Sequence, residues 1–148
     1  MKKTSYCIEI AKSACNRMKR FVEQAENRIL WFGLVKRKED TFLITKVFLE
    51  YQEDTPSGVK LKSKEFLRFL RTLPDGDGNK IHFLGISQGR DEIIPTPVDN
   101  QLLKVLGERS EYHIRCITNK VGEIKFSLYI DGKIIDNIPW SIKKNKGE

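Results

Sequence analysis

Apolar residues recur at steps of three and four along the first part of the chain, at Ile8, Ala11, Cys15, Met18 and Val22. That period places them on one side of an α-helix and predicts an amphipathic helix over Ile8 to Val22, with a strand around Tyr6 to Ile10 as the alternative for its first turn. The pattern then changes. Arg28 to Val35 (RILWFGLV) and Thr41 to Leu49 (TFLITKVFL) are rich in β-branched and aromatic residues and flank the polar turn Arg37-Lys38-Glu39-Asp40, which predicts a hairpin. Tyr51 to Gly58 reads as a loop. A second helix is expected from Ser63 to Leu73, with Phe66, Leu67, Leu70 and Leu73 on one face and Pro74 as its stop. Ile81 to Gly85 is a short buried strand, and a third helix runs from Pro97 to Leu106, closed by Gly107. Strands follow at Tyr112 to Thr118, Glu123 to Ile130 and Lys133 to Ile138. Their connections, Asn119-Lys120-Val121-Gly122 and Asp131-Gly132, carry the turn chemistry of a meander. These elements predict an α/β (mixed α+β) fold with a largely antiparallel sheet and three helices. It forms one domain over residues 1–140, followed by a basic polar tail at 141–148.

Composition sharpens this picture in three ways. A chain of 148 residues with 39% hydrophobic content can bury one core without disulfides or metal. The three cysteines, Cys7, Cys15 and Cys116, have no ligand spacing and suit small core residues in a reducing compartment, so a cytoplasmic location is expected. No apolar run approaches the roughly 18 residues of a membrane span, and the Met1-Lys2-Lys3 start leads into no signal-peptide core. No membrane partner is expected.

The formal charge is +7, with basic density from Lys12 to Arg20, at Lys36-Arg37-Lys38, from Lys60 to Arg71, and at Lys143-Lys144-Lys146. Such a balance suits an acidic partner, nucleic acid included. No aromatic residues interleave with the basic runs as a base-stacking platform requires, so solvated surface charge is the simpler account.

Few motifs carry chemistry. Asp75-Gly76-Asp77-Gly78-Asn79 invites a calcium-loop reading, but Lys80 stands where the loop glycine belongs and Ile86 where the final glutamate belongs. There is no glycine-rich phosphate loop, no HExxH and no nucleophile pair readable by spacing. The segment Gly85 to Asp99 (GISQGRDEIIPTPVD) is different. Seven residues separate Gln88 from Thr96, two separate Thr96 from Asp99, and Ile86-Ser87-Gln88 opens the run.

In that spacing the chain resembles the JAB/MPN (JAMM) metallopeptidases of the prokaryotic and phage branch, whose signature is a glutamate followed by His-x-His-x7-Ser-x2-Asp. Glu26, seven residues before Gly33, occupies the glutamate position. Leu49 to Glu53 and Ile117 to Ile124 also resemble that branch, and the likeness extends from about Tyr6 to Trp140. It implies a JAB/MPN-like (cytidine-deaminase-like) architecture. By the resemblance, Ile86, Gln88 and Asp99 are the metal-ligand positions, Glu26 the proton shuttle and Thr96 the oxyanion hydroxyl, with Ser87 between the ligand positions. Isoleucine has no lone pair and a glutamine amide is a weak zinc ligand, so the resemblance implies a degenerate site and no zinc cofactor. The oxygens of Glu26, Gln88 and Asp99 suit at most a hard cation. Thr96 and Asp99 also serve as an ordinary helix start, a Thr N-cap with Pro97 at the first position, and Glu26 serves as solvated surface. The resulting expectation is a pseudoenzyme that binds another protein, such as a ubiquitin-like partner held as an added strand. A nucleic-acid-binding domain and a metal-dependent peptidase with a rebuilt site are the alternatives.

Overall fold

The computed structural model describes residues 5–24, 29–49, 52–55, 58–61, 81–87, 93, 97–108, 111–119 and 121–144. The first periodic segment divides in two. β1 (Cys7–Ala11) buries Ile8 and Ile10 in strict alternation, and α1 (Lys12–Gln24) then buries Ala14, Cys15, Met18 and Phe21. The strand alternative is the correct one for the start, because Ile8 and Ile10 satisfy a period of two. β2 (Ile29–Lys38) and β3 (Thr41–Phe48) form the expected antiparallel hairpin. β4 (Gln52–Thr55) and β5 (Gly58–Leu61) pair as a separate two-stranded sheet where a loop was expected. β6 (Ile81–Ser87) is followed by α2 (Pro97–Glu108), β7 (Tyr112–Thr118), β8 (Ile124–Ile130), β9 (Lys133–Ile135) and β10 (Trp140–Lys143). The helix expected at 63–73 and the rejected calcium loop lie outside the described residues.

Eight strands form one sheet in the order β10-β1-β3-β2-β6-β7-β8-β9, curled into a half-barrel. The expectation of an α/β fold with three helices is corrected: the molecule is mostly sheet, with ten strands and two helices among the described residues. The sheet is mixed, with four antiparallel and three parallel pairings among the described residues. β1 runs parallel to both β10 and β3, and β6 runs parallel to β7. The difference arises from short strands. Trp140–Lys143, whose last three residues were expected to begin the polar tail, is an edge strand with three of its four residues exposed, and four residues are too few for their apolar–polar alternation to stand out.

The two faces of the sheet hold separate cores, as alternation along strands requires. Ile8, Ile10, Trp31, Phe42, Ile44, Phe83, Ile114, Cys116, Phe126 and Leu128 pack under α1. Leu30, Phe32, Leu84, Ile86 and Ile117 form the second cluster. α2 packs against β6, β7 and β8. Gly107 lies within α2 rather than ending it, because a methyl group there would overlap the Tyr129 ring on β8. The missing side chain lets the helix approach the sheet. The turn Asp131-Gly132 has positive φ at both residues (52° and 77°), matching a two-residue hairpin that aspartate and glycine adopt readily.

Candidate functional site

Of the residues singled out by spacing, Ile86 and Ser87 close β6, a central strand. Ile86 is fully buried, and its side chain belongs to the cluster of Leu30, Phe32, Leu84 and Ile117. Ser87 is also buried, and it pairs in register with Ile29 of β2 and Thr118 of β7. Asp99 lies in the first turn of α2. Glu26, Gln88 and Thr96 lie outside the described residues. Ile86 shares its face of the sheet with Arg115, two positions before its own partner Ile117, and Arg115 reaches Asn100, the residue after Asp99. The end of β6 and the start of α2 therefore belong to the same side of the sheet.

That side does not suit a zinc ion at the Ile86 position. The residue presents hydrocarbon to hydrocarbon, and no group of three or more His, Cys, Asp or Glu side chains suited to a metal occurs among the described residues. The two histidines lie together on β6 and β7, four residues before Ile86 and Ile117 respectively. His82 donates from Nδ1 to the Tyr112 carbonyl at 2.8 Å and stacks on the Tyr112 ring with centroids 4.2 Å apart. His113 sits next to it on β7, 2% exposed, and neither ring nitrogen has a hydrogen-bond partner among the described residues. Burial, with the nearby His82 adding to it, lowers the His113 pKa to about 3.

A buried polar network tethers α2 to the sheet. Arg115, 1% exposed, donates to Asn100 Oδ1 (2.6 Å) and Ser127 Oγ (2.9 Å). The Ser127 hydroxyl donates to Asp136 Oδ1 (2.6 Å), which lies 3.6 Å from Arg115 Nη2. One guanidinium thus links α2, β7, β8 and the segment after β9. Its cation is paired within the molecule, with Asp136 itself 60% exposed.

Sequence reasoning missed a further feature. At the end of the sheet where Ser87 pairs with Thr118, an open groove of about 270 Å³ runs between α1 and the β7–β8 turn. Met18, Val22, Thr118, Val121 and Ile124 line it, and Lys19 and Glu23 stand on the helix side. Val121 is 69% exposed, more than Leu49 or Ile142. The turn is held from inside: buried Asn119 accepts from the Glu123 N–H (2.8 Å) and donates to the Glu123 carboxylate (3.1 Å). The Gly122 N–H also donates to the Asn119 carbonyl (3.3 Å). An apolar valine inside turn-forming residues was the available signal. It is ordinarily absorbed into the turn assignment.

No family model matches the chain. No curated protein matches it either. Among solved structures, the solution structure of protein DSY2949 from Desulfitobacterium hafniense is similar, with a TM-score of 0.62 and 14% identity over 95% of each chain. At that identity the likeness concerns the fold. The spacing of Ile86, Gln88, Thr96 and Asp99 rests on those residues alone.

Proposed function

We propose that this chain is a non-catalytic protein-binding domain, and that the groove between α1 and the β7–β8 turn receives an apolar side chain of its partner. The observation that carries this reading is Val121, held out at 69% exposure by a turn that Asn119 fastens, beside the apolar walls of Met18, Val22 and Ile124. An apolar floor with charges at its margin is the anatomy of a protein interface. Among the described residues the groove offers no aromatic ring for a base to stack on, which favours a protein over a nucleic acid.

One observation favours the nucleic-acid alternative: Lys12, Arg17, Lys19 and Arg20 are all exposed on α1. Phosphate binding along that helix would weaken steeply with salt, which groove binding would not.

Val121→Glu places a charge in the groove without touching the core. After nuclease treatment and at moderate salt, a protein retained from native extracts by the parent chain is released by the variant, at least about tenfold, the range of an interface hot spot. Equal retention by both overturns the reading. The non-catalytic part has its own check. Elemental analysis of untagged protein purified without chelator gives well under one zinc per chain, and near-stoichiometric zinc lost on Asp99→Ala contradicts it.

A further inference from the structure

We infer that the outer edge of β10 accepts an extended, acidic protein segment as an added strand, at a surface distinct from the groove. β10 ends the sheet, and among the described residues it pairs with β1 alone. The Ile8 N–H donates to the Pro139 carbonyl at 2.9 Å, which fixes the alternation of backbone groups along the strand. Pro139, Ser141 and Lys143 therefore turn their polar backbone groups toward β1, and Trp140 and Ile142 turn theirs outward. Those outward groups are a template for another strand.

The side chains specify what that strand carries. Ile8 pairs with Trp140 and Ile10 with Ile142, so Trp140 and Ile142 lie on the α1 side of the sheet. Trp140 is half-buried against Phe126, with centroids 5.4 Å apart, and Ile142 is 44% exposed. Together they form an apolar lip. Lys143, paired with Ala11, lies on the other face, and Lys144 follows directly. Both lysines are exposed, and among the described residues neither has a carboxylate within ion-pairing distance. Glu9, on β1, is the acidic residue closest in register, opposite Ser141. A strand that alternates apolar residues, set beside Trp140 and Ile142, with acidic residues, set beside Lys143, satisfies both faces at once. A second copy of this chain does not, since β10 itself (WSIK) carries no acidic residue to set beside Lys143. β10 runs beside the start of α1, with Lys143 level with Ala11, whereas the groove lies against Met18 to Glu23.

Two capped peptides test this, one alternating valine with glutamate and one alternating valine with lysine. Followed by ¹H–¹⁵N NMR and tryptophan emission at low salt, the glutamate peptide binds at least about fivefold more tightly than the lysine peptide, the range of two cross-strand charge pairs. It shifts and protects the Trp140 and Ile142 amides. Lys143→Glu with Lys144→Glu reverses the preference. Ile142→Pro removes an outward N–H that no described strand uses, and proline is tolerated there on an edge, so it abolishes binding while the rest of the spectrum stays folded. Equal affinity for the two peptides, binding of neither, shifts confined to Met18 and Val121, or full binding by the proline variant overturns the inference.

Discussion

His113 is the clearest case of a residue whose neighbourhood sets its chemistry. Its imidazole is neutral in the folded protein because burial lowers its pKa to about 3, against about 6.5 in the unfolded chain. The unfolded state therefore binds the proton first as pH falls. Stability is fully present above about pH 6.5 and declines as the pH drops toward 3, by an amount on the order of several kcal/mol. Thermal melts of the parent and of His113→Leu between pH 7 and 4 measure this. The parent loses more melting temperature than the variant; parallel curves contradict the account. The sequence names His113 but not its burial, since a histidine in Tyr112–Thr118 sits among residues that are all buried on both faces. Ile86 shows the same gap. Spacing marks it as a ligand position, whereas its packing against Leu30, Phe32, Leu84 and Ile117 makes it part of the core.

At the scale of elements, legibility follows how much of the local pattern is set by burial. The β2–β3 hairpin is evident because Trp31, Phe32 and Val35 on one strand and Phe42, Ile44 and Val47 on the other are buried apolar residues with a polar turn between them. β7 and β8 are evident for the same reason. The boundary between β1 and α1 is ambiguous because Ile8, Ala11 and Cys15 fit a helical step while Ile8 and Ile10 fit an alternating one, and only pairing with β3 and β10 selects the strand. The end of α2 is misread at Gly107. Glycine ordinarily marks a helix terminus, but here the tight approach of Tyr129 requires the absent side chain within the helix. β10 is hidden altogether, since its identity lies in backbone pairing to a strand more than a hundred residues earlier.

For the whole molecule, the misjudged quantity is the balance of sheet to helix, because β4, β5 and β10 are short and their residues resemble loop or tail. The candidate site divides similarly. Register brings Ser87 beside Thr118 and sets Ile86 on the face shared with Arg115, but the groove depends on α1 lying across from a turn far away in sequence. No local pattern encodes that meeting. The α1 groove is the central claim, and a photoreactive phenylalanine analogue at position 121 tests it most directly. Lys125, also exposed but outside the groove, is the control position. Irradiation in the cells that naturally produce the protein is predicted to give one discrete protein adduct from position 121 and not from 125. Adducts to nucleic acid, or the same products from both positions, would contradict the account.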